Sequence, residues 1–341
     1  MSVSDRKAPP MRARLATMMQ GGTGRVMRAR TPWLLAGTLV AGALLPLLSD
    51  NHARQFGFEF ATILTLACLW NLLAGYAGVI SIGQQAFVGL GGYLLVCLIV
   101  FAGLPALAAV PLAGLLTGLI ALPAAGLVFR LRGPHFAIGT WVLAEVFRLG
   151  FAQVSALGGG SGMSLPVPAI LAISHSRPAR LLLFYELAAG LALATHLLAW
   201  RLLRSRYGLA LTAIRDSEAA AASLGVDVGL LKRAAFVLIA GLTGLTGALL
   251  FLQNVRISPD AAFSVNDWTA TIIFIVVIGG IGRLEGPLIG CAVFFSFRAA
   301  FAESGPWYLM GLGALAIGMM LVQRRGIAGV LESKRYFFEK K

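Results

Sequence analysis

RLLRSRYGLALTAIRDSEAAAASLGVDVGLLKR, residues 201–233, lies between LLLFYELAAGLALATHLLAW (181–200) and AAFVLIAGLTGLTGALLFLQN (234–254). Each flank supplies the ~20 apolar residues that a helix needs to cross a bilayer. The island between them carries six Lys/Arg and three acidic residues, with an alanine run bracketed by Ser217 and Gly225. Apolar runs give location. A charged helical segment held between two of them points to a soluble partner on that side of the membrane.

Working outward, the chain has 341 residues, of which 58% are hydrophobic and 12% charged, and its mean hydropathy is +0.83. A soluble domain of this length could not hide so much apolar surface, so the fold class is an all-α polytopic transmembrane bundle. Spans are predicted near 32–48, 57–76, 86–104, 106–129, 136–153, 181–200, 234–254, 268–282, 286–302 and 307–322. That makes about ten. The least regular segments are 77–92 and 136–153.

A net charge of +14 would suggest nucleic acid in a soluble protein, but its distribution argues otherwise. Seven basic residues precede the first span and six follow the last. Arg130, Arg132, the six of the island and Arg283 fall in loops of the same parity, which places 22 of 28 Lys/Arg on one side. Positive residues mark cytoplasmic loops, so both termini are expected inside, with no nucleic-acid partner. Residues 1–30 read as a basic tail, 31–323 as the membrane domain and 324–341 as a second basic tail. The basic start before 32–48 has the look of a secretory signal, yet the spans that follow favour an uncleaved first helix.

Cys68, Cys97 and Cys291 sit in apolar runs at unrelated spacings, and His52, His135, His175 and His196 are scattered. Neither set suggests a disulfide framework, a metal site or a bound cofactor. None of the five lysines follows the GxxxxG of a phosphate-binding loop, so the chain is not expected to hydrolyse ATP. HExxH, GxSxG and a dinucleotide fingerprint are missing as well. No catalytic residue is assigned.

NLLAGYAGVISIGQQAFVGLGG (71–92) interrupts an apolar run with six glycines and with Asn71, Ser81, Gln84 and Gln85. Backbone that leaves helical geometry at membrane depth is tolerated only against protein or a watery cavity, and transport folds use broken helices at the substrate site. Close helix packing through Gly is the other reading. VVIGGIGRLEGPLIG (276–290) holds Gly279, Gly280, Gly282, Gly286 and Pro287. It reads first as a sharp turn between spans, with Pro287 in the first turn of the next helix. The loop 154–180 contains GGGSGMSLP, which is turn chemistry; it suits either an external partner or a plain connector.

Charges within or near spans are few. Glu145 and Arg148 share a helix face three residues apart and can neutralise one another. They mark a functional pair or steady a helix at the interface. Glu59 and Glu186 lie near the outer surface, and Arg298 sits inside a span where a neighbouring helix can pair with it. No chain of acidic groups suggests a proton-driven carrier. That argues against a stand-alone secondary transporter but leaves it open.

Within the island, Ser217 or Asp216 can cap a helix, and Glu218 complements its dipole. Ala219 to Ala222 favour helix with almost no bulk, and Gly225 can stop it. This predicts a helix of ~10 Å with a small-residue flank, fit for a groove on a partner protein. A solvated connector is the alternative.

Three stretches together carry a family resemblance: 71–93, 207–249 (YGLALTAIRDSEAAAASLGVDVGLLKRAAFVLIAGLTGLTGAL) and 258–290 (SPDAAFSVNDWTATIIFIVVIGGIGRLEGPLIG), with RRGIAGVLE at 324–332. The chain resembles the permease subunits, of the LivM type, of branched-chain amino acid ABC importers. The resemblance implies a bacterial inner-membrane subunit that pairs with a second homologous permease. It further implies two ATPase subunits beneath and a periplasmic substrate-binding protein above, with membrane lipid around. The alanine helix then resembles the coupling helix of ABC permeases, patterned Glu-Ala-Ala, three residues, then Gly. Counted back from Gly225, Ala219, Ala220 and Ala221 fall on that triplet, and Glu218 comes one residue early. The implied coupling set is Arg215, Asp216, Ser217, Glu218, Ala219, Ala220, Ala221 and Gly225. The implied translocation path contains Asn71, Gly75, Gly78, Ser81, Gly83 and Gln84. Urea, short amides or other neutral amino acids would fit the same machinery.

Overall fold

The structure, a computed structural model, describes residues 50–301 together with 310–311, 313–314, 317–318 and 326–328. The expected span at 32–48 and both basic tails, apart from residues 326–328, lie outside the described residues. Of the expected span at 307–322, the described residues are helical.

Every predicted span between 57 and 302 coincides with an apolar helix. α1 runs Asn51–Asn71 and continues as a π turn over Leu72–Tyr76; α2 is Gln84–Val100, α3 Ala106–Val128 and α4 Pro134–Gln153. The segment 154–164 holds two 3₁₀ turns and β1 (Met163–Ser164), followed by the short α5 (Val167–Leu171). α6 spans Arg177–Arg204, and the island folds as α7 (Arg206–Asp216) and α8 (Glu218–Ser223). α9 is Val228–Asn254, β2 Arg256–Ile257 and α10 Pro259–Ala262. A π turn at Val265–Ala270 leads into α11 (Thr271–Gly279), and α12 is Gly286–Phe301. Five helices are long and apolar enough to cross a membrane, or six if α4 and the turns after it, bent by 91°, count as one span. The protein is all-α and multi-pass.

α9 is the central helix. It packs most extensively on α3 and α2, while α1 packs on α6 and α11 on α12. Small residues permit the approach: Gly241 of α9 faces Gly118 of α3, and Gly91 of α2 stands against the Gly244 carbonyl. Helices in lipid gain mainly from such close contact, because the lipid is as apolar as the side chains. Gly89 and Gly92 likewise face Phe263 and Phe251, so this part of the glycine-rich zone serves packing.

The ends of the bundle differ. One carries the island, the α3–α4 turn and the turn 280–285; here it is called the basic end. At the other, β1 pairs antiparallel with β2, with Met163 opposite Ile257, so 154–164 is built onto the α9–α10 connection. Tyr93, Phe151 and Phe263 stack there, with the Tyr93 and Phe151 rings 4.3 Å apart. The span expected at 268–282 stops at Gly279, because Gly280 (φ 120°) and Gly282 (φ 75°) take conformations that leave the helix.

Candidate functional site

α8 forms as its sequence dictates. Ser217 is the N-cap, its extended backbone freeing the hydroxyl to accept from the Ala220 amide at 3.3 Å. At the other end Val226 N donates to Ala221 O (3.2 Å) and Gly225 N to Ala222 O (2.9 Å). That is the double closure of a helix whose C′ residue is left-handed. Gly225 supplies it with φ 85°.

Ala219, Ala220 and Ala222 are exposed, while Ala221 is 1% exposed and fixes the helix to the bundle. Glu218 pairs with Lys232 at the start of α9, so it ties two helices together and is not part of the small-residue face. Sequence reasoning missed Leu224. It is 72% exposed beside the alanine face, and only the helix end, by turning it outward, distinguishes it from a core leucine.

Arg215 lies in the last turn of α7, just before this cap. Its Nε and Nη2 donate to Asp216 Oδ1 at 3.0 and 2.9 Å, and its Nη1 donates to the Gly75 carbonyl at 2.9 Å. Gly75 lies in the π turn that ends α1, where carbonyls lack their usual intrahelical donors. A Cβ at Gly75 would stand 2.5 Å from Gly282 N and 2.7 Å from Asn71 Oδ1, so only glycine fits. Asn71 is 2% exposed; its Oδ1 accepts from Gly282 N and its Nδ2 donates to Arg283 O, both at 2.8 Å. Arg283 in turn donates to Ala328 O at 2.9 Å. Asn71, Gly75, Gly78, Arg215, Gly282 and the turn around it thus form one junction at the basic end. Gly279 and Gly286 meet where α11 and α12 begin to separate, and Pro287 lies in the first turn of α12.

Beyond Tyr76 the chain doubles back. Trp70 Nε1 donates to Ser81 O at 2.8 Å and Gln84 Nε2 to Leu66 O at 3.1 Å. The non-helical segment 77–83 therefore runs back along the end of α1, and α2 starts level with Leu66. Leu66 is ten residues before Tyr76, which at 1.5 Å each puts that start ~15 Å back from the end of the π turn. The amides there are met by threonines: Ile82 N by Thr140 and Gln85 N by Thr269. Gly83 packs on the Thr140 backbone.

Ser81 and Gln84 line a small pocket with Trp70, Leu73, Phe87, Phe236, Ile239, Ala240 and Thr243. It offers ≈ 10 Å³ for the centre of a water-sized molecule, about enough for one water. Gln84 is 4% exposed, and its Oε1 has no partner among the described residues. The residues assigned to one path from sequence therefore divide: Asn71, Gly75 and Gly78 at the junction, Ser81 and Gln84 at the pocket, and Gly83 against α4.

At the opposite end Arg148 holds both Glu145 (2.5 Å) and Asp260 (2.7 Å), and Arg298 reaches Glu59 at 3.1 Å. The Asp260 partner, 112 positions away, was not legible from the Glu145–Arg148 spacing. Glu186 is exposed. Among the described residues, no group of three His, Cys, Asp or Glu side chains could hold a metal ion.

Comparison with known proteins agrees on one family. The family described as branched-chain amino acid transport system, permease component, matches residues 55–323. The high-affinity branched-chain amino acid transport system permease protein LivM of Escherichia coli K12 is 26% identical over 315 residues, covering 86% of this chain and 74% of the relative. The protein of that name from Salmonella typhimurium LT2 matches to the same extent. No solved structure matches.

Proposed function

The chain belongs to the branched-chain amino acid transport permease family, and on that premise we propose that it is half of the membrane core of an ATP-driven ABC importer in a bacterial inner membrane. A second homologous permease completes the translocation path. Two separate ATPase subunits lie beneath the permease pair, one of them docked on α8, and a periplasmic binding protein delivers branched-chain amino acids at the opposite end. Both termini face the cytoplasm, about ten helices cross the membrane, and the permease domain covers 31–323 between two basic tails.

The observation that carries this reading is the build of α8. A connector has no use for a side-chain cap at one end, a left-handed glycine at the other and an outward face of Ala219, Ala220 and Leu224 between them. Such a face buries well in a groove, because small residues let a partner's backbone approach and one leucine supplies apolar area. Ala221 and the Glu218–Lys232 pair fix α8 to the bundle, so a push on α8 is passed on to α7 and α9. The permeases then rock to alternate access around the path.

Ala220 is exposed, so Ala220→Glu can fold normally while filling the docking groove with a charge. Co-purification of the ATPases and leucine uptake in proteoliposomes are both expected to be lost in this variant. Intact assembly and uptake would end the docking reading.

A further inference from the structure

Arg215 touches the end of α1 in two ways. Its side chain holds the Gly75 carbonyl, and its backbone stands against Gly78, where a Cβ would lie 3.2 Å from Arg215 Cα. Gly78 has φ 69°, and the close approach depends on its lack of a side chain. Arg215 is also two residues from the Ser217 cap, with its fork set on Asp216. On the far side, Gly282 backs Gly75 and is tied to Asn71. The end of α1 is therefore clamped between α7 and the turn 280–285.

We infer that Arg215 is a positioning residue, a rigid strut that hands displacement of α8 to the end of α1 and the returning segment 77–83. The movement thereby reaches the pocket at Ser81 and Gln84. This rests on the reading of α8 as the ATPase dock. Two features distinguish a strut from a simple helix cap. A guanidinium held on two sides cannot rotate away without breaking a charge-assisted bond. The backbone contact at Gly78 also means that a shift of Arg215 cannot be absorbed by its side chain alone. Lys cannot replace the fork, because one ammonium lacks the geometry to hold both acceptors.

The test uses the full importer in proteoliposomes and reads leucine taken up per ATP hydrolysed. Arg215→Ala is expected to lower that ratio about tenfold or more, the cost of one charge-assisted hydrogen bond, with the ATPases still co-purifying. Arg215→Lys should fall between. A second measurement separates coupling from folding: in Arg215→Ala the thermal midpoint and the yield of assembled complex should stay near those of the unsubstituted chain while the ratio falls. An unchanged ratio in Arg215→Ala, or a ratio that falls only in step with the loss of folded complex, overturns the strut while leaving docking intact. Failure of the ATPases to bind the unsubstituted chain would remove the docking reading itself.

Discussion

The two ends of the bundle are held by different chemistry. At the basic end, Asn71 and Arg215 bind main-chain groups: Gly282 N, Arg283 O and Gly75 O. Ion pairs occur at both ends, but at the opposite end they are the long-range links between helices, as in Arg148 with Asp260 and Arg298 with Glu59, beside the main-chain pairing of β1 with β2. Asp260 is 78% exposed at its side chain, whereas Asn71 is buried. A main-chain acceptor moves only with its helix, so a bond to it transmits position. An exposed ion pair can swing, and water and salt replace it at little cost. The bonds of Asn71 and Arg215 to main chain suit the transmission of position; the exposed ion pairs at the other end hold a surface together without stiffening it.

The comparison breaks first at Asn71. Asn71→Leu removes both hydrogen bonds by which the buried Asn71 holds the part-buried 280–285 turn and is expected to cost ~2–3 kcal/mol. Thermal unfolding of the purified protein in detergent would show it as the largest drop in midpoint of the three changes. An effect no larger than that of an exposed substitution would deny the junction its structural weight. Next is Gly225→Ala, which places a Cβ on a left-handed residue at ~1 kcal/mol. Amide exchange over 217–226 should quicken about fivefold, the rest of the protein staying as protected as before. The smallest effect belongs to Asp260→Asn, at under ~1 kcal/mol and fading with added salt. A salt-independent loss of several degrees would mean that the two ends are alike after all.

Much of this architecture could be read from residue order, because helices in lipid are announced by apolar length, and eight segments from 57 to 302 were placed that way. The cap at Ser217 and the stop at Gly225 were also legible, since both act within one turn. What escaped depends on contacts far apart in the chain. Arg215 and Gly75 are 140 positions apart, and Asn71 is 211 from Gly282. Residues 71–84 are one stretch of sequence, yet the doubling back at 77–83 divides them between the junction and the pocket, and no local pattern announces that division. The end of α11 was set too late because the backbone of Gly280, not its hydropathy, closes that helix.

The doubling back has a consequence for biogenesis. α2 has 17 residues, which gives ~25 Å of helix against a hydrocarbon thickness of ~30 Å. It also begins with two amide side chains. Gln84 meets Thr243 159 positions later, and Gln85 Oε1 accepts from Thr269 184 positions later. Gln84 has the Leu66 carbonyl from the start, but at ~5–20 residues per second of synthesis the links to Thr243 and Thr269 wait roughly ten to forty seconds. During that interval the nascent α1–α2 hairpin is a poor client for the lipid phase. A membrane insertase that shelters polar groups would therefore have to hold it until α9 and α11 emerge.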